Sequence, residues 1–318
     1  LRKYGLLDMR KTKKTSMALT KIIGEVHPDI IHIQFGTNAA IFFNHLPDYS
    51  GETLIQFRGY DASSQLKIRP KYRAQISDIV NRSNVNVASV SESLVQNLLR
   101  NEVNVSNYYI LRTPIDTQFF KPFRKDMADE AADALRTKKI IQVGSFRKKK
   151  GQLQMLQLFK NYAHHWPGKW IVEFYGDGET KRDCIQFVTD NELEKSVAFY
   201  PFVGPDEVRK SLNDADAFVH LALTTEDGDM EGIPNAIAEA MSMELPVVTT
   251  NHSGIPELIT NREEGYMINM SQAEFNAALN WAHQVGKLPK ARERVCKHFD
   301  KTQHKKAMKA MYLEVLND

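Results

Sequence analysis

Cysteine is nearly absent from this chain: Cys184 and Cys296 are the only two, and they lie far apart. That rules out a disulfide scaffold, and a reducing compartment is the simplest setting. No Cys/His spacing suits zinc, and His164 and His165, being adjacent, would point to different faces of any helix. No run of about 18 apolar residues occurs, which excludes a helical membrane span, and no secretory signal pattern is read. Neither a Gly-x-Gly-x-x-Gly fingerprint nor a P-loop is present, which disfavours ordinary dinucleotide or ATP binding. Charge of one sign is also scarce: the net charge is +3, too little for a chain whose main partner is nucleic acid.

The 318 residues, 42% of them apolar, are enough for two domains of ordinary size. Basic charge gathers at the start: Arg2, Lys3, Arg10, Lys11, Lys13, Lys14 and Lys21 face a single acid, Asp8, within residues 1–24. Such a segment suits either a solvated helix face or contact with an anionic membrane surface.

Short apolar runs alternate with helix-like segments. Residues 29–35, 53–57, 85–90 and 108–111 form one series of expected strands, and 139–144, 170–176, 197–200, 216–221 and 246–250 a second. Continuous Val/Ile/Leu runs separated by helices predict an α/β chain with parallel sheets covered on both faces. Pro114 and Pro122 interrupt the pattern between the two series. A linker is expected near residues 113–137, with domains over 1–120 and 121–300. From Lys301 onward the spacing of Ala307, Ala310, Met311, Leu313 and Val315 predicts a docking helix.

The densest chemistry lies in Glu226 to Met241, EDGDMEGIPNAIAEAM. Pro234 fits the first turn of a helix, with Ile233, Ile237, Ala240 and Met241 on its core stripe. The expected strand over 216–221 aims its end at this helix start, where open α/β sheets bind ligands. Free N–H groups at Ile233, Asn235 and Ala236 would make an anion site. Glu239, off the stripe, can accept two hydrogen bonds from a diol, and Glu231 can hold another polyol. The same two acids equally suit simple helix-start electrostatics, worth about 0.3–1 kcal/mol each. VGSFRKKKGQ, residues 143–152, reads as strand, basic loop and helix, with Arg147, Lys148, Lys149 and Lys150 as candidate diphosphate contacts. Asp227 and Asp229 form an Asp-x-Asp triplet, open to a divalent metal or to plain solvation.

These residues carry a resemblance. Residues 226–259 resemble the donor-site signature of retaining family 4 glycosyltransferases of the GT-B fold, in the subgroup that makes colanic acid and other exopolysaccharides. The pair Glu231 and Glu239 and the turn SGIPEL (253–258) match it, and FGTNAA (35–40), RGYDAS (58–63), SVSESL (89–94), PID (114–116) and GDGE extend it more weakly over nearly the whole chain.

The resemblance implies two Rossmann-like parallel-sheet domains facing a cleft, with a nucleotide-sugar donor bound by the second. Glu239 would hold the ribose and Glu231 the donor sugar. Lys150 would bind the diphosphate, together with the amides of Gly232, Ile233 and Asn235 beside Pro234. Gly144, Ser145 and Arg147 would lie along the nucleotide, and the backbone at Phe202 and Val203 would meet the base. Glu231, Lys150 and Arg58 are the implied catalytic groups, and Arg58 and Asp61 the implied acceptor-side contacts. No divalent metal or other cofactor is implied.

Three departures stand out. Ser145 occupies a place where the family usually has arginine, which leaves Arg147 as a candidate replacement. Arg58 replaces a usual histidine. The family's first strand and glycine-rich loop have no counterpart here, so the front of the N-terminal domain is expected before Leu1. The expected function is transfer of a sugar to a saccharide, lipid-linked acceptor in bacterial surface polysaccharide biosynthesis. The setting would be cytoplasmic and peripheral on the inner face of the plasma membrane, with residues 301–318 docking back toward the N-terminal domain. The alternatives are a non-catalytic sugar-nucleotide-binding or scaffold protein and, further off, a GT-B sugar-nucleotide epimerase.

Overall fold

The computed structural model of the chain describes residues 9–123, 137–165 and 170–317. Arg2, Lys3 and Asp8, and residues 124–136 of the expected linker, lie outside these. The chain divides into two compact units, Leu1–Leu111 with Lys306–Asp318, and Arg112–Lys305.

The first unit contains α1 (Met9–Val26), β1 (Ile31–Gln34), α2 (Gly36–His45), β2 (Thr53–Phe57), α3 (Ser64–Ile68), α4 (Pro70–Val80), β3 (Val85–Ser89), α5 (Glu92–Arg100) and β4 (Tyr109–Ile110). The strands pair in parallel in the order β1-β2-β3-β4. All five residues of β2 are buried, as the unbroken run TLIQF requires of a strand covered on both faces. Ser91 caps α5, its hydroxyl accepting from the Leu94 N–H at 3.3 Å. Leu94, Val95 and Leu98 then fall on one buried stripe.

The second unit contains β5 (Lys138–Val143), α6 (Gln152–His165), β6 (Trp170–Tyr175), α7 (Lys181–Asp190), β7 (Val197–Tyr200), α8 (Pro205–Asp214), β8 (Ala217–His220), α9 (Asn235–Ser242), β9 (Val247–Thr250), α10 (Ile255–Leu258), β10 (Tyr266–Ile268), α11 (Gln272–Val285) and α12 (Pro289–His298). A last helix, α13 (Lys301–Asn317), begins in this unit. Its Met311 and Val315 are buried in the first unit, where Met311 packs with Leu54, Ala88 and Leu111.

The sheet runs β10-β9-β8-β5-β6-β7, all in parallel pairs. From β5 the chain builds outward to β7, then returns to lay β8, β9 and β10 on the other side. The order therefore reverses between β5 and β8, and ligands of open α/β sheets bind outside the strand ends at such a point. One face carries Ile140, Phe159, Val172, Val219 and Phe275, the other Ile141, Leu212, Phe218, Ile237 and Met241. Each fully buried side chain of this size contributes about 1.5–3 kcal/mol.

All nine expected strands are present, and β10 adds a tenth that the pattern did not announce. The unit boundary falls at Leu111/Arg112, ahead of the division expected after residue 120. The reason is packing: Ile115 and Phe120, on the proline-marked stretch, are buried in the second unit's core with Leu212 and Met241. Pro234 precedes its helix instead of lying in the first turn. Its ψ of 118° is extended, so it is the N-cap and Asn235 opens α9.

Candidate functional site

The crevice is built from the loops that follow β5 and β8. After β5, Phe146 is buried against Phe174 and Phe199 at ring distances of 5.9 and 6.1 Å. This anchor leaves its neighbours Ser145 and Arg147 exposed. Lys148–Lys150 form a tight turn, closed by Lys150 N–H to the Arg147 carbonyl at 2.9 Å. Gly151 ends it with φ +66°, where a Cβ would stand 1.9 Å from the Leu221 carbonyl oxygen. Glycine here lets the basic turn lie directly on the end of β8.

The loop after β8 is tied to that turn. The Leu223 N–H donates to the Lys149 carbonyl at 3.0 Å. Lys149 Nζ donates to Asp229 Oδ1 at 3.0 Å and to the Met230 carbonyl at 3.3 Å. Lys150 Nζ lies 3.0 Å from Glu231 Oε1, with Lys149 at 3.8 Å from the same atom. The charges are paired, but Glu231 Oε1 accepts no well-aligned hydrogen bond. On the other side Ser253 Oγ donates to the Glu231 carbonyl, and the Gly254 N–H to the Gly232 carbonyl at 3.1 Å. Within the loop Asp227 accepts from the Thr225 hydroxyl and from the Asp229 N–H at 3.2 Å. Among the described residues no three His, Cys, Asp or Glu side chains are grouped to hold a metal ion.

These contacts set the charge of the site. Burial would raise the pKa of Glu231, but Lys150 first, then Lys149, hold it below the ordinary value. Glu239 is raised by burial, and no described residue pairs with its carboxylate. The backbone N–H groups of Ile233, Asn235 and Ala236 likewise donate to no described residue. They sit at the positive end of α9.

Of the expected donor-side residues, Gly144, Ser145, Phe202 and Val203 line one largely apolar pocket of about 230 Å³. Lys150 and Glu231 meet as an ion pair, Gly232, Ile233 and Pro234 lead from it into α9, and Asn235 and Glu239 lie within that helix. Arg147 lines a second cavity, of about 690 Å³, together with Lys149, Asp227 and Asp229 of the same two loops, and not the pocket beside Ser145.

Arg58 and Asp61 lie in the first unit. Asp61 is fully buried and accepts from the backbone N–H groups of Gly36 at 2.8 Å, Gly59 at 2.9 Å and Arg58 at 3.1 Å. It ties the turn after β2 to the start of α2, so its oxygens face the backbone. Arg58 donates to Gln34 Oε1 at 2.8 Å and lies over the Phe35 ring at 5.8 Å.

His220 was not named from the sequence, and Lys149 only as one of four candidate diphosphate contacts. Four consecutive basic residues cannot reveal which one staples the acidic loop. His220 had only one signal, a histidine inside an otherwise apolar strand.

A family profile described as "Glycosyl transferases group 1" matches residues 124–296. The amylovoran biosynthesis glycosyltransferase AmsK of Erwinia amylovora is 34% identical over 44% of this chain and 34% of its own length. The putative colanic acid biosynthesis glycosyltransferase WcaL of Escherichia coli is 26% identical over 86% of this chain and 65% of its own. The chain thus spans about a third of the first relative and just under two thirds of the second. Among solved structures, Anabaena Alr3699/HepE in complex with UDP superposes with a TM-score of 0.76 at 15% identity, over 93% of this chain and 81% of that one. That likeness is one of fold.

Proposed function

Because this chain belongs to the glycosyl transferases group 1 family, we propose that its second unit binds a nucleotide-sugar donor at the β5/β8 crevice and passes the sugar, with retained configuration, to a saccharide acceptor. The observation that carries this reading is the Lys150–Glu231 pair, 3.0 Å apart at the amide-lined start of α9. An ammonium and three free amides suit a diphosphate. Glu239, one helical turn on, suits the ribose diol. The pocket of Gly144, Ser145, Phe202 and Val203 suits the base. Glu231 is then left to meet the sugar.

In the step itself the bond from the sugar carbon to the diphosphate oxygen breaks. The acceptor hydroxyl forms the new bond on the same face and gives its proton to the departing phosphate. No side chain needs to become a nucleophile, and Glu231 suits electrostatic support. The chain's work is placement and stabilisation of the leaving charge. The reaction is proposed to run without a divalent metal, a reading supported by the commitment of Asp227 to Thr225 and of Asp229 to Lys149.

The acceptor is proposed to be a lipid-linked saccharide of a bacterial surface polysaccharide, by analogy with the named relatives. No helix among the described residues is long and apolar enough to cross a membrane. The α1 helix carries Lys13, Lys14 and Lys21 beside exposed Met17, Ile22 and Val26, which supports surface contact with anionic lipid. Calorimetric titration with UDP, GDP and ADP, with and without Mg²⁺, tests the donor site. Selective, metal-independent binding of one nucleotide is expected. A folded chain that binds none overturns the reading.

A further inference from the structure

His220 has no part in the reading above, yet it ends β8 at the switch point and is fully buried. Strand alternation puts it on the face of Phe218, against which its ring stacks at 6.3 Å. Phe218 in turn packs with Ile237 and Met241 of α9, so the imidazole belongs to the sheet face that carries the Glu231 loop and its helix. Neither ring nitrogen has a hydrogen-bond partner among the described residues. His252 Nε2 has none either, while Glu231 Oε1 is held only by its lysine ion pairs, at 3.0 and 3.8 Å. More than about 90% of buried polar groups in native proteins are satisfied. The two free nitrogens of His220 therefore call for a partner.

Burial, followed by the charge of Lys150, lowers the pKa of His220 to about 3 against the opposing pull of Glu231. The ring is therefore neutral, with one N–H to give and one nitrogen to accept. The charges that act on it come from Lys150 in the loop after β5, Glu231 in the loop into α9, and His252 in the turn after β9. In the free chain Lys150 neutralises Glu231 at 3.0 Å. A diphosphate competes for that same ammonium. Lys149 cannot simply take over, since Asp229 and Met230 already hold it. A buried carboxylate stripped of its partner is costly.

Resting on the donor-site reading, we propose that His220 is a positioning residue for Glu231: its N–H becomes the hydrogen-bond donor to that carboxylate when a bound diphosphate draws Lys150 away. A neutral donor compensates Glu231 without adding a second cation that would compete with Lys150 for the phosphate. It also fixes the carboxylate in direction, which a flexible lysine does less well.

The test is a double-mutant cycle on this chain, read by calorimetry with UDP and GDP and with the nucleosides uridine and guanosine as controls. Against wild type, His220→Leu loses about tenfold in nucleoside diphosphate affinity, the worth of one hydrogen bond to a charged group, and nucleoside affinity is unchanged. His220→Gln recovers part of the loss. In a Glu231→Gln background, where no charge needs compensating, His220→Leu costs nothing further. An equal loss in both backgrounds overturns the proposal, as does no loss in the first. A wild-type chain that binds neither diphosphate overturns the donor site itself. If the leucine variant does not fold, ¹⁵N-histidine spectra of the wild type decide. The His220 ring nitrogens should shift on adding the diphosphate and not the nucleoside; unmoved resonances would refute the proposal.

Discussion

Asp61 and Glu231 are both buried carboxylates, one in each unit, and they are held in opposite ways. Asp61 accepts three backbone N–H groups. Burial still outweighs those bonds and raises its pKa. Glu231 has two lysines and no aligned hydrogen bond, and its pKa falls. Backbone amides cannot leave, so Asp61 is a fixture of the fold. Lysine side chains can, so the pairing at Glu231 is exchangeable. Burial alone does not distinguish a structural acid from a working one; the mobility of its partners does.

Four substitutions or conditions sharpen that contrast. Asp61→Ala, the largest, should destabilise the first unit by about 4 kcal/mol, because buried amides lose their acceptor. Chemical denaturation would read that loss, with nucleotide affinity unchanged. If Asp61 instead contacts substrate, activity would fall while stability held. Glu231→Ala should cut turnover by about 10²–10³. Nucleoside diphosphate affinity should hold or rise, because Lys150 is released; an affinity loss as large as the rate loss would place Glu231 on the nucleotide. Glu239→Ala should weaken nucleoside and nucleotide alike by about tenfold, the size of one lost charged hydrogen bond, and unaltered nucleoside binding would remove it from the ribose.

The smallest effect is on acid stability. Glu231 has a folded pKa below its ordinary 4.5, so its contribution is present above that value and is lost as pH falls through the lowered one. Melting curves of wild type and Glu231→Gln should therefore differ at pH 6 and converge progressively as pH falls below 4.5. Parallel curves would mean that the lysines do not stabilise the ionised form.

Much of this fold was legible in the sequence. Strands buried on both faces, such as TLIQF, read as unbroken apolar runs, and each appears where expected. The three-residue β10 was missed because Tyr266–Ile268 is too short to show a period. Pro114 and Pro122 announced a break in regular structure but not which core would take Ile115 and Phe120.

The site was legible only in part. The pattern around Glu231 and Glu239 marked the helix start, and the basic run marked its counterpart. Their meeting at 3.0 Å depends on the strand order, which no local pattern encodes. Arg147 illustrates the limit: it was a candidate to replace the arginine missing at Ser145, and the sequence could not say that it would line the cavity of Lys149 and Asp229 and not the pocket of Ser145. His220 was hidden because its importance lies in hydrogen bonds it does not make.

In the proposed function the β5/β8 crevice is a diphosphate site whose cation, Lys150, rests on Glu231 until the ligand arrives. Titrating nucleoside and nucleoside diphosphate into wild type and Lys150→Ala tests it most directly. Lys150→Ala should lose most of the added affinity that the diphosphate provides and keep nucleoside binding intact. Equal losses for both ligands, or none for either, would contradict it.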